Sequence, residues 1–180
     1  MEIETARLML RQFREDDLDA WSSICSEPEV MRYASMAGVP LTREQSGKWL
    51  HSMQDHWQAL GYGMWAVDEK STGRLIGRVG LQYPPGFPGT EVAWMLGTAY
   101  WGRGFAAEGA SASIEHGFSL VGLDRLISLI FPENARSIRL AERLGERFES
   151  DFHLAGHRLL VYSIGREGWR AGRTGSSTRG

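Results

Sequence analysis

Between Tyr100 and Gly109 the chain reads YWGRGFAAEG, and the residue types at Trp101, Gly102, Arg103, Gly104, Phe105, Ala106 and Ala107 have the spacing of an anion cradle. The stretch before it, TEVAWML, reads as a strand. The stretch after it, AAEGASASIEHGFSL, repeats Ala107, Ala110, Ile114 and Phe118 at three- and four-residue steps, as a helix does. The glycines therefore sit where a strand passes into a helix. The first turn of that helix leaves backbone N–H groups unpaired, and its dipole adds about half a positive charge, so phosphate is the natural partner. Gly102 and Gly104 permit unusual dihedrals and close approach, and Arg103 adds a cation. A tight turn with no ligand is the plainer reading of so short a pattern.

Gly102, Gly104 and Ala107 also fit the dinucleotide fingerprint, and Asp124 stands about twenty residues on, where that fingerprint asks for an acid. The context argues against it. Asp124 precedes the strand RLISLIF instead of ending one, and three strands and two helices come before the glycines. A nucleoside triphosphatase loop would need a lysine followed by serine or threonine, which is missing.

The elements that must hold this loop follow from periodicity. ARLMLRQF alternates as a first strand, and REDDLDAWSSICSEP reads as a helix with acids at its positive end, stopping before Pro28. Thr42 to Gln45 is a capping box opening a second helix, with Trp49, Leu50, Met53, Trp57 and Leu60 on one stripe and Gly61 as its stop. GYGMWAVDE and RLIGRVGLQ flank the turn KSTG as a hairpin, and Gly77 and Gly80 within it predict a bulge or a close neighbour. After the glycine loop and its helix come the strand DRLISLIF, the helix ENARSIRLAERLG with Asn134 as N-cap, and the strands ERFESDF and HRLLVYSI. The expected fold class is α+β, a mixed and mostly antiparallel sheet of about seven strands flanked by about four helices. One domain is expected over residues 1–169, with 170–180 as a disordered tail because it has no large apolar residue to bury.

Composition narrows the partners. A net charge of −2 and a pI of about 6.2 argue against nucleic acid. The lone Cys25 forms no internal disulfide, and no apolar run approaches a membrane span, so the expected setting is the cytoplasm, with no membrane partner. His153 and His157 flank Gly156 in a turn, which is no metal spacing, so no metal is expected.

TARLMLRQFREDDLDAW, EVAWMLGTAYWGRGFAAEG, PENARSIRLAERLGER and VYSIGREGW, in this order over residues 5–169, resemble the GNAT superfamily of acyl-CoA-dependent N-acyltransferases. Within it they are most similar to the RimJ and RimL ribosomal-protein N-acetyltransferases. The resemblance implies splayed central strands, TEVAWML and RLISLIF, with acetyl-CoA as co-substrate. Its pyrophosphate would lie on Trp101 to Ala107, and its pantetheine beside Asn134 and backbone groups of Trp94, Met95 and Leu96. Trp101 departs from the glutamine or arginine common there but removes no backbone donor. Ala141 stands where many members carry an acidic tyrosine, and Ser137 is the nearest hydroxyl that could replace it.

Acetyl transfer to an amine through a tetrahedral intermediate needs a base, an oxyanion donor and a proton source for the leaving thiolate. Glu91 is the candidate base and Ser137 the candidate acid, with a backbone N–H near Met95 or Leu96 as oxyanion donor. Glu91 as a plain strand residue and Ser137 as a first-turn residue are the alternatives. Glu108 is expected to turn away from the loop, where it would repel phosphate. The expected acceptor is a primary amine, either a protein N-terminus or a small molecule such as an antibiotic. A non-catalytic acyl-CoA-binding regulator is the reading from another class. Monomer and homodimer are both compatible with the pattern.

Overall fold

The computed structural model describes residues 1–176, and its elements run β1 (Ile3–Glu4), β2 (Leu8–Arg11), α1 (Leu18–Cys25), α2 (Pro28–Ala34), α3 (Arg43–Leu60), β3 (Met64–Glu69), β4 (Arg74–Gln82), β5 (Glu91–Leu96), α4 (Phe105–His116), β6 (Arg125–Ile130), α5 (Ala135–Arg143), β7 (Arg147–Leu154), β8 (His157–Gly165) and α6 (Arg166–Ser176). The strands form one sheet in the order β1-β2-β3-β4-β5-β6-β8-β7, in which only β5 and β6 are parallel neighbours. This is the mixed, mostly antiparallel sheet expected, with eight strands and six α-helices among the described residues.

The extra elements have local causes. Thr5 Oγ1 lies within hydrogen-bond reach of both the carbonyl and the N–H of Leu8, a tight turn that lets β1 double back as a two-residue edge strand. Pro28 ends nothing by itself, since α1 has already stopped at Cys25. It stands at the first position of α2, where a missing N–H is harmless. The helix α6 covers residues assigned above to a tail as far as Ser176, and 177–180 lie outside the described residues.

Two apolar layers sandwich the sheet. Trp21, Ile24, Met31, Leu50 and Met53 from α1 to α3 pack on the face carrying Met64, Ala66 and Met95. Phe105, Ala110, Ile114 and Phe118 pack on the other face against Trp65, Val79, Leu81 and Val92. α4 sits very close to the sheet, because a Cβ at Gly109 would lie 2.8 Å from Val79 Cγ1. The glycines of β4 answer to close neighbours too. With φ of 151° at Gly77, a Cβ there would collide with the Met95 carbonyl oxygen, and the register of β3 slips opposite it, between Val67 and Asp68. The capping box forms as read, with the Gln45 N–H donating to Thr42 Oγ1 at 3.2 Å and the Thr42 N–H donating to Gln45 Oε1 at 2.8 Å. No helix among the described residues is long and apolar enough to cross a membrane.

Candidate active site

The sheet comes apart in its middle. β5 and β6 share a single register pair, Glu91 with Ile127, where the Ile127 N–H donates to the Thr90 carbonyl at 3.0 Å. One step further on, side chains replace the ladder: Ser128 Oγ reaches the Val92 carbonyl at 2.8 Å, and the Leu129 N–H donates to Glu91 Oε1 at 3.1 Å. Beyond those struts the two strands diverge. Gly97 N–H donates to the Ile76 carbonyl at 3.0 Å, so the antiparallel alternation sends the amide groups of Met95 to β4 and those of Trp94 and Leu96 toward the gap. The Leu96 carbonyl is filled by Trp101 Nε1 at 2.7 Å.

Three of the singled-out residues meet across this gap. Trp94 Nε1 donates to Ser137 Oγ at 3.2 Å, and the Ser137 N–H donates to Asn134 Oδ1 at 3.2 Å. Asn134 therefore caps α5 with its oxygen, and its amide NH2 has no partner among the described residues. Ala141, seven residues on, is fully buried in a cluster with Ile130 and Tyr162.

The glycine loop lies at the open end of β5. Gly102 and Gly104 hold φ of 73° and 81°, and α4 starts at Phe105, with the Glu108 N–H to Gly104 carbonyl bond, 3.0 Å, as its first turn. The N–H groups of Phe105, Ala106 and Ala107 have no acceptor within the helix. Glu108 does turn away: Thr5 Oγ1 at 2.6 Å and Arg7 Nε at 2.7 Å donate to its carboxylate. Burial would raise that carboxyl, but the Thr5 and Arg7 hydrogen bonds outweigh it and hold it below the usual range. Arg103 is drawn to the buried Glu69 at 2.9 Å. Two other cations stand beside the loop. Arg7 Nη1 donates to the Arg103 carbonyl at 2.8 Å, and Arg136 lies 4.1 Å above the Trp101 ring. Neither is legible locally, since Arg7 is 101 residues from Glu108 and Arg136 meets Trp101 from a different segment.

Glu91 is 7% exposed, with Gln82 Nε2 donating to Oε2 at 2.6 Å and Leu129 to Oε1. Burial pushes its carboxyl up, against hydrogen bonds from Gln82 and Leu129 and the nearby Arg78 charge. The same Ser128 Oγ lies 3.1 Å from Oε1 of the buried Glu146. Ser128, the one polar residue between Leu126 and Ile130, is a sequence signal for that strut. A cleft of about 370 Å³ among Glu142, Glu146, Arg147, Phe148 and Tyr162 lies on the β7 side and adjoins none of the loop residues.

A chain with this fold and loop has known relatives. Residues 7–147 match the model of the acetyltransferase (GNAT) domain. The chain belongs to the GNAT acetyltransferases. Among curated proteins, this GNAT domain is 31% identical over 152 residues to YnaD of Bacillus subtilis, named an uncharacterized N-acetyltransferase, covering 84% of this chain and 86% of that one. Among solved structures, an acetyltransferase from Agrobacterium tumefaciens superposes with a TM-score of 0.81 at 28% identity, over 92% of this chain and 95% of that one. A ribosomal-protein-S5-alanine acetyltransferase from Vibrio fischeri shares the fold, with a TM-score of 0.73 at 20% identity over 94% and 98% of the two chains.

Proposed function

We propose that this GNAT domain is an acetyl-CoA-dependent N-acetyltransferase whose acceptor is a primary amine, on a protein N-terminus or a small molecule. The observation that carries the reading is the β5–β6 gap opening beside the unpaired first turn of α4. One element can hold a pyrophosphate while the other takes up a thin amide-bearing arm. The donor set fits such a ligand: N–H groups of Phe105 to Ala107 for phosphate, Trp94 and Leu96 amide groups and the Asn134 NH2 for the arm, and Arg7 and Arg136 for added positive charge. Acetyl-CoA supplies the activated acyl group.

Each residue then has a task. The gap-facing N–H of Trp94 or Leu96 donates toward the acyl oxygen, whereas the Met95 amide is directed to β4 and contributes its side chain. Ser137, oriented by Trp94 Nε1, supplies a proton to the departing sulfur. Glu91 takes the proton of the amine, either directly or through a water that displaces Gln82, and burial raises its affinity for that proton. The shared fold of the ribosomal-protein enzyme, with the motifs quoted above, favours a place near the RimJ and RimL branch.

The test is a thermal-shift titration with acetyl-CoA followed by thiol release with N-terminal peptides, polyamines, aminoglycosides and amino acids. Acetyl-CoA at a hundred times its Kd adds about 2.7 kcal/mol of stability. No rise in Tm rejects the donor assignment. A rise without thiol release from any amine supports the regulator reading instead.

A further inference from the structure

Arg78, in the middle of β4, is a charge without a partner. It is 5% exposed, and its Nε has no hydrogen-bond acceptor. Among the described residues its one hydrogen-bond contact is a weak one, Nη1 to Met53 Sδ at 3.6 Å, while the Trp49 ring lies 4.2 Å from its guanidinium carbon. A cation–π contact replaces only part of what water gave five N–H donors. Glu91 is near enough to act on it through space, yet both carboxylate oxygens are engaged by Gln82 and Leu129. Cys25, also close, is buried, and burial pushes its thiol up to about 11, so it carries no charge at neutral pH.

The same sheet shows how this fold treats an arginine whose work is structural. Arg11, 8% exposed, holds both oxygens of Asp17 at 2.7 Å and Asp68 Oδ2 at 2.7 Å. Register puts Arg11 opposite Ala66, Ala66 opposite Arg78, and Arg78 opposite Met95, so both arginines lie in one row on one face. One is matched by two carboxylates and the other by none. A buried guanidinium left unmatched is costly unless something else pairs with it. Arg78 also sits one strand from the gap, on the face that carries Glu91.

Building on the acetyltransferase reading, we infer that Arg78 binds an oxyanion of the acceptor, so that the substrate is a small amine bearing a carboxylate or phosphate a few bonds from its nitrogen. Arg78 is then a specificity residue. It selects by fork-shaped pairing that a neutral or cationic amine leaves unmet.

Matched acceptor pairs test this: ethanolamine phosphate against ethanolamine, and β-alanine against β-alaninamide, each read by thiol release with wild type, R78Q and R78K. Expected is a kcat/KM ratio of about tenfold or more in favour of the anionic member, collapsing toward unity in R78Q and partly kept in R78K, with acetyl-CoA still raising the Tm of each variant. Equal use of both members by wild type, preference for the neutral member, or an unchanged ratio in R78Q overturns it. Should R78Q not fold, the wild-type ratio alone decides. In parallel, the Tm of the apo protein is compared in phosphate and in sodium chloride of equal ionic strength. A phosphate-specific rise in wild type that is lost in R78Q and reduced in R78K supports the site even if no amine is acetylated, an outcome that sinks only the transferase reading. No such rise, together with no turnover, overturns the site too.

Discussion

Replacing Glu146 by glutamine removes a pH-dependent weakness in the strut at the head of the gap. Glu146 is 2% exposed, its Oε2 has no partner, and its Oε1 lies 3.1 Å from Ser128 Oγ. The Ser128 hydroxyl has one hydrogen, and the Val92 carbonyl 2.8 Å away can only accept it. The contact with Glu146 is therefore satisfied when the carboxyl keeps its proton and donates. Burial pushes that carboxyl from 4.5 up to about 8, reinforced by Glu91. Below about pH 4.5 the folded and unfolded chains are both protonated, and Glu146 contributes no pH dependence. From there to about pH 8 the unfolded chain has released a proton that the folded chain retains, so stability falls with rising pH by about 1.4 kcal/mol per unit. Over the whole window that is about 5 kcal/mol, or roughly 10 to 20 °C in Tm for a chain this long. The glutamine is neutral throughout, and its Nε2 can donate to Ser128 in place of the carboxyl. Tm measured for both proteins from pH 5 to 9 at constant ionic strength should diverge, from near equality at pH 5 to a lead for E146Q of roughly 10 to 20 °C at pH 8.5. A constant difference across that range refutes the reasoning, because it means that the folded carboxyl is ionised throughout.

Other perturbations separate the parts of the site. G104A and G102A each force a side chain into positive φ at about 1 kcal/mol, but only position 104 has a neighbour, Arg7 Nη2 at 3.3 Å, so calorimetric acetyl-CoA affinity falls more in G104A. S137A removes the acceptor of Trp94 Nε1 and lowers kcat by tenfold or more with acetyl-CoA affinity unchanged, whereas a purely first-turn serine leaves kcat intact. D17N breaks the buried pair with Arg11 and costs about 3 kcal/mol, read as a lower urea midpoint at unchanged m-value.

Local chemistry was legible wherever one segment carried it. The stripe through Trp49, Leu50, Met53 and Trp57, the Thr42 box, the Asn134 cap and the positive-φ glycines all depend on neighbours within a few residues and are found, whereas Leu60, read onto the same stripe, is exposed at the end of α3. α2 was missed because Pro28 is equally a stop for one helix and a first residue for another. What the sequence withheld are pairings between distant positions. Glu108 meets Arg7, Glu69 draws Arg103 away from the loop, and Arg78 meets no carboxylate at all. An arginine looks the same in a strand whether two aspartates or none await it. Glu91 showed its strand but not its burial, which depends on Gln82 and Leu129 arriving from two other segments.

The parting of β5 from β6 also gives this sheet two edges in its interior. Open edges elsewhere invite another chain to add a strand, and proteins blunt them with charge, proline or cover. Here the guard is width: Ser128 and Glu91 bolt the strands at one end, and Trp94 to Ser137 bars the opening, so no foreign strand fits while the bolts hold. A ligand filling the slot would act as a plug for that exposed backbone. Without one, loosening at the Ser128 end would open a seam along which two molecules could adhere, so on the proposed reading a bound donor would also keep that seam closed.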